Sequence, residues 1–152
     1  ADEIEARALY ARHYAPVQEV GFVTNDEWGF TLGCSPDGLV GDDGMLECKS
    51  RRQKFQIETL IAGDMPAEYV IQVQTSLMVT GRAWCDFVSY CGGLPLAVLR
   101  VPADPEVQDA ILEAATDFEL RLSKLEDEYR DRLATMRKLI PTERRIEQEM
   151  TL

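Results

Sequence analysis

Residues 36–50, PDGLVGDDGMLECKS, hold two short apolar runs on either side of Gly-Asp-Asp-Gly. Glycines at the ends of so short a polar link supply the backbone freedom a tight hairpin turn demands, so the segment reads as a β-hairpin over 37–40 and 44–50. Successive strand side chains point to opposite faces. Glu47 and Lys49 therefore project together, while Leu46 and Cys48 face the other way, toward a core. Asp37 opens the neighbouring strand, with Pro36 restricting the backbone just before it. The hairpin thus brings two carboxylates and an ammonium group to one sheet edge.

Around this hairpin the chain reads as alternating element types. Residues 2–14 place Ile4, Ala8 and Leu9 on one stripe of a helix that stops before Pro16. QEVGFV (18–23) and GFTLGC (29–34) flank a polar turn and make another hairpin. Residues 52–62 return to helical spacing. PAEYVIQVQTSLMVTG (66–81) opens on proline and closes on glycine, the asymmetry of a buried helix of about four turns. AWCDFVSYC (83–91) and LAVLRV (96–101) are two further strands. From Asp104 a long amphipathic helix is expected to run to Pro141, its stripe from Val107 through Phe118, Leu122, Leu125 and Tyr129 to Met136 packing as core. A last short helix is expected from Thr142 as N-cap. The order predicts an α/β (α+β) fold: a single domain over 1–152 with one central mixed β-sheet flanked by helices.

Composition narrows the function. No apolar run is long enough to span a membrane, and the acidic start is unlike a signal peptide, so a soluble, cytoplasmic protein is expected. The four cysteines form no CxxC pair and lie in predicted strands, where reduced thiols pack well. His13 is the only histidine, which excludes His-based triads and His-rich metal sites. The net charge of −11 argues against a general nucleic-acid surface. Residues 49–54, KSRRQK, nonetheless carry four bases and no acid. A local basic patch beside a carboxylate cluster is what a metal-dependent enzyme acting on a polyanion needs.

Carboxylate oxygens are hard ligands suited to Mg²⁺ or Mn²⁺. Such an ion acidifies a bound water and polarises a phosphodiester, while Lys49 would hold that water and offset developing charge. On spacing alone a plainer account competes: Glu47 and Lys49 as an exposed ion pair on an edge strand, and Asp37 as a turn residue.

Pro36-Asp37, nine residues, then Glu47-Cys48-Lys49 resembles the PD-(D/E)XK nuclease signature. CSPDGL, LECK and YVIQVQTSLMVT, in that order, resemble the alkaline exonucleases of phage recombination systems, the lambda exonuclease and YqaJ group; the likeness covers about residues 1–100. The resemblance implies a restriction-endonuclease-like core. It implies Asp37, Glu47 and the backbone carbonyl of Cys48 as metal ligands and Lys49 as the residue that positions the attacking water. It also implies that Gln72 contributes to the site, with Tyr69 three residues earlier on the same helix face; Gln74 stands on another face. A first-helix glutamate approaches the metal in this family, and Glu3, followed by Ala6-Arg7, stands in register, with Glu5 as the alternative. The glycine of that pattern would lie before residue 1, so the family's N-terminal region is expected to be missing.

Ser35, Ser50, Arg51, Arg52 and Lys54 are the expected DNA contacts. The implied function is a Mg²⁺-dependent deoxyribonuclease that digests one strand of linear duplex DNA from its 5′ end, leaving 3′ overhangs for recombination by strand annealing. The implied setting is a phage or prophage product in a bacterial cytoplasm. The implied partners are duplex ends, a single-strand annealing protein and further copies of the chain in a trimeric ring. The alternatives are a structure-specific or restriction-type endonuclease with the same metal core, or a non-catalytic acidic interaction module.

Overall fold

The computed structural model describes residues 2–143, and the chain divides into two compact units, residues 1–115 and 116–152. The first unit carries α1 (Asp2–His13), β1 (Val23–Asn25), β2 (Leu32–Cys34), β3 (Gly38–Val40), β4 (Gly44–Ser50) and α2 (Gln53–Ala62). A 3-10 turn (Ala67–Tyr69) then leads into α3 (Val70–Thr80), followed by β5 (Trp84–Tyr90) and β6 (Ala97–Pro102). The last helix, α4 (Pro105–Thr135), begins in this unit and continues into the second. The strands β3-β4-β5-β6 form a mixed sheet in which β4 and β5 run parallel and the other pairs antiparallel. The parallel pair requires the long crossover that α2 and α3 provide.

The hairpin forms as its sequence demands. Gly41 takes φ 57°, which a residue with a Cβ rarely adopts. Gly44 lies beside Trp84 on β5, and a Cβ there would come within 2.2 Å of the indole ring. The two faces of the sheet bury two clusters. Leu46, Cys48 and Val88 pack with Ala6 and Tyr10 of α1, and Met45, Cys85 and Phe87 pack with Val73 and Leu77 of α3. Gly81 closes α3 in the left-handed conformation, as its place after the apolar run predicts.

Two buried glutamines close the loops around this core. Gln56 donates to the carbonyls of Ser89 (3.0 Å) and Pro95 (2.8 Å). Gln74 donates to the carbonyl of Pro102 (2.9 Å) and accepts from the amide of Asp104 (2.8 Å), so it fastens β6 to the start of α4. Asp104 Oδ1 in turn accepts from the amides of Glu106 and Val107, capping α4 where the sequence places its start.

The expectation of one sheet is corrected. β1 and β2 make a separate two-stranded sheet, and of the segment that precedes β1 Gln18 makes an isolated antiparallel bridge to Leu39 of β3. Gly21 interrupts the first run and offers no side chain to pack, so extended pairing does not propagate from Gln18 to Val23. The long helix is also corrected. It ends at Thr135 rather than at Pro141, and none of its residues is buried, so its stripe is not core. The helix expected from Thr142 as N-cap lies, beyond Glu143, outside the described residues.

The core fixes an alkaline limit. Burial pushes the Cys48 thiol up to about 12, with the nearby carboxylates Asp37 and Glu47 adding to it, and raises Cys85 and the Tyr10 phenol further. A group whose folded pKa is raised stabilises the fold fully below its unfolded value, and that stability is lost as pH climbs toward the folded one. Unfolded thiols and phenols titrate near ~8.5 and ~10. Melting temperature in reductant should therefore decline progressively above about pH 8.5; a value that holds level through pH 11 would contradict this assignment.

Candidate active site

Strand β4 pairs with β3 only as far as Leu46, so Glu47 and Lys49 have β5 alone as their strand neighbour, and burial rather than sheet order decides their setting. They project to the face covered by α3, and Glu47 is only 3% exposed. The plainer reading of an exposed ion pair is thereby set aside. Lys49 Nζ donates to Glu47 Oε1, and Gln72 Nε2 of α3 donates to the same oxygen at 2.6 Å. Glu47 Oε2 is buried and has no hydrogen-bond partner among the described residues. An orphaned carboxylate oxygen in the interior is costly, and its retention points to a ligand that it serves.

Asp37 sits where β3 begins. Its amide donates to the carbonyl of Leu46 (3.1 Å), and its Oδ2 accepts from the amide of Cys48 at 2.7 Å. The backbone of β4 thus aims the Asp37 carboxylate while the side chains of the same strand present Glu47 and Lys49. Arg7 of α1 adds a brace that the spacing of acids did not reveal. Its guanidinium donates to the Asp37 carbonyl (3.1 Å) and pairs with Glu19 (3.0 Å). The signal lay in the Ala6-Arg7 pair: Ala6 is fully buried, and this sets the helix face from which Arg7 reaches the site.

Electrostatics follows from this crowding. Burial raises the Glu47 carboxyl, and the charge of Asp37 adds to the rise against the pull of Lys49 and Gln72. For Lys49, burial would lower the ammonium, but the hydrogen bond and charge of Glu47, with Asp37 and Glu3 behind it, outweigh that and raise it. Lys49 is therefore firmly cationic.

Tyr69 and Gln72 both reach the site, as their shared helix face requires. Tyr69 lies 5.7 Å from Lys49 Nζ by its ring centroid and packs against Phe87. Its hydroxyl accepts from Arg51 at 2.6 Å, and the same guanidinium nitrogen pairs with Glu68 at 2.7 Å. Arg51 is thus turned inward, its side chain only 7% exposed, and clamps the end of β4 to the turn before α3. Arg51, expected as a DNA contact, is engaged in this structure by the acid and the hydroxyl on the crossover. Arg52 and Lys54 are exposed, and Lys54 lies 3.9 Å from Glu58. Ser35 is exposed beside Pro36, and the Ser50 hydroxyl donates to Asp2 (2.9 Å).

Glu3 is exposed and contributes charge to Lys49 without completing a three-carboxylate cluster: among the described residues, no three His, Cys, Asp or Glu side chains are disposed to hold a metal. Glu5 engages the Tyr90 hydroxyl, whose pKa it raises. The donor set that fits a hard divalent ion is two carboxylates and a main-chain carbonyl, with the orphaned Glu47 Oε2 as the atom in want of a partner.

A mixed sheet whose central strand carries the Glu-x-Lys pair beside a proline-braced aspartate defines the PD-(D/E)XK class. Residues 2–83, more than half of the chain, match the YqaJ-like viral recombinase domain, and the chain belongs to that family. The crystal structure of an alkaline exonuclease (LHK-Exo) from Laribacter hongkongensis is 38% identical, with a TM-score of 0.73 over 87% of this chain and 70% of that one. The structure of LHK-Exo in complex with dAMP is 37% identical, with a TM-score of 0.72 over 87% of this chain and 69% of that one. No curated protein matches the chain. Among the described residues no helix is long and apolar enough to cross a membrane.

Proposed function

We propose that the chain is a metal-dependent exonuclease that degrades one strand of linear duplex DNA from 5′ to 3′ and leaves 3′ single-stranded overhangs for phage-type recombination. The observation that carries this reading is Glu47: a buried carboxylate with one oxygen held by Lys49 and Gln72 and the other without a partner, beside Asp37. The family and the alkaline exonuclease relative support it.

Asp37, Glu47 and the carbonyl of Cys48 would hold Mg²⁺, with Mn²⁺ as substitute. When bound, the ion supplies Lewis acidity toward the scissile phosphate and acidity to a coordinated water. The chain's own groups do the rest. Gln72 and Lys49 fix the Glu47 carboxylate. The Lys49 ammonium orients the attacking water and offsets the negative charge that grows on the phosphoryl oxygens. Tyr69, held by Arg51, walls the site beside Lys49, and Glu3 adds negative charge from its rim. Ser35, Ser50, Arg52 and Lys54 would serve as phosphate contacts.

A ring of three copies around the duplex reconciles a net charge of −11 with a polyanionic substrate, because bases line the channel and acids the outside. The product strand passes to a single-strand annealing protein in the bacterial cytoplasm. The test is digestion of end-labelled linear duplex against closed circular plasmid, with Mg²⁺, Mn²⁺ or chelator. Metal-dependent loss of label from 5′ ends, with intact circles, is expected. Cutting of the circles would establish an endonuclease instead, and no cutting at all under metal would overturn the nuclease reading.

A further inference from the structure

Arg51 ends the line of side chains that begins at Glu47 and Lys49. Its amide donates to the Tyr90 carbonyl (2.7 Å), so pairing with β5 continues one residue past β4, and the two-residue period puts Arg51 on the same face as Glu47 and Lys49. Its guanidinium lies 5.2 Å from the ring centroids of both Phe55 and Tyr69, and Tyr69 stands in turn beside Lys49. Its bonds to Glu68 and to the Tyr69 hydroxyl both come from Nη1. Nε is buried and without a partner among the described residues. A guanidinium offers five donors in a planar fork that suits two parallel bonds to a carboxylate or phosphate, and Glu68 accepts from a single nitrogen. Arg51 is thus well held by its rings and a hydroxyl, and poorly matched by its acid.

We propose that Glu68 competes with the substrate for Arg51: on binding, a phosphate of the DNA strand takes the guanidinium and Glu68 is released to solvent, while Tyr69 keeps its hold. The two partners of Arg51 are anchored differently. Tyr69 packs on Phe87 at 5.1 Å within the core beneath α3, whereas the Glu68 side chain is 63% exposed. An ion pair with so exposed a member is weak and gives way readily to a better-matched anion. Charge and spacing select the occupant. Lys49 and Arg51 stand two strand residues apart, about 6.6 Å, which is comparable to the step between neighbouring phosphates of one nucleotide strand. A strand whose scissile phosphate faces Lys49 therefore brings the adjoining phosphate within reach of Arg51. The inference rests on the nuclease reading and adds to it that Glu68, which touches no reacting atom, sets the affinity for DNA.

Fluorescence anisotropy of a labelled linear duplex tests it on the full chain, at low salt and with chelator present so that nothing is digested, beside a thermal melt of each variant. Glu68→Gln, which keeps the size of the side chain and removes its charge, should tighten binding by about two- to fivefold. Arg51→Gln should weaken binding, and Glu68→Gln added to Arg51→Gln should then bring no gain. A clamp with a purely structural role predicts the opposite for Glu68→Gln, a lower melting temperature with weaker binding. Binding by Glu68→Gln that is equal to or weaker than that of the wild-type chain would overturn the proposal and leave the nuclease reading standing. So would a gain that persists without Arg51, because a general loss of repulsion needs no guanidinium. A chain that binds duplex in none of these forms would sink the nuclease reading and this inference with it.

Discussion

Lys49→Ala should lower strand digestion by about a thousandfold or more, since on the proposed mechanism it removes both the group that orients the water and a preorganised positive charge at the reacting phosphate. The fold should survive the change. Breaking a buried ion pair ordinarily costs about 3–5 kcal/mol, because the remaining charge is stranded. Here Glu47 already has a raised pKa from its burial, so it can take up a proton and shed that charge, and Gln72 still donates to it at 2.6 Å. Release of label from linear duplex, set beside a melting curve, separates the two effects. Robust digestion by a folded Lys49→Ala chain would remove this residue from the mechanism.

A large loss of stability outside the site is expected from Asp86→Ala. Asp86 on β5 is 3% exposed, accepts the Tyr10 hydroxyl at 2.6 Å, and is gripped by Arg100 through Nε (2.8 Å) and Nη2 (2.9 Å). It thereby ties α1, β5 and β6 together on the face of the sheet opposite Glu47. Truncation leaves the Tyr10 hydroxyl buried without an acceptor, which costs about 1–3 kcal/mol. The Arg100 partner adds less than a buried pair would: its side chain is 59% exposed, and its guanidinium keeps its stack on Trp84 at 3.7 Å. A total of about 2–3 kcal/mol is expected by urea unfolding. Tyr10→Phe should cost less, because Asp86 then keeps Arg100. A loss below about 1 kcal/mol in Asp86→Ala would show that water enters and satisfies the phenol.

Legibility in the sequence differed from element to element. Gly-Asp-Asp-Gly set the hairpin, and the two-residue period of a strand set Glu47 and Lys49 on one face, because both depend on neighbours a few residues away. The three-residue step from Tyr69 to Gln72 likewise fixed a shared helix face. The partners of Arg51 were not legible for the same reason: a run of bases reads as a phosphate patch, and Glu68 and Tyr69, distant in sequence, come beside Arg51 only in the fold. Arg7 was named only within a pattern, and its hold on the Asp37 carbonyl exists only once α1 lies across the hairpin.

Periodicity determined which face of most elements is apolar, and with it the alternation of helices and strands and the common face of Glu47 and Lys49. Tertiary structure alone decided what each face meets: that α3 covers Glu47, which is buried and half satisfied, that β1 and β2 stand apart as their own sheet, and that the seam of α4 lacks a cover among the described residues. A local repeat records that a surface needs a partner, whereas the partner is chosen by contacts between segments far apart in the chain, whose net free energy no window of neighbouring residues contains.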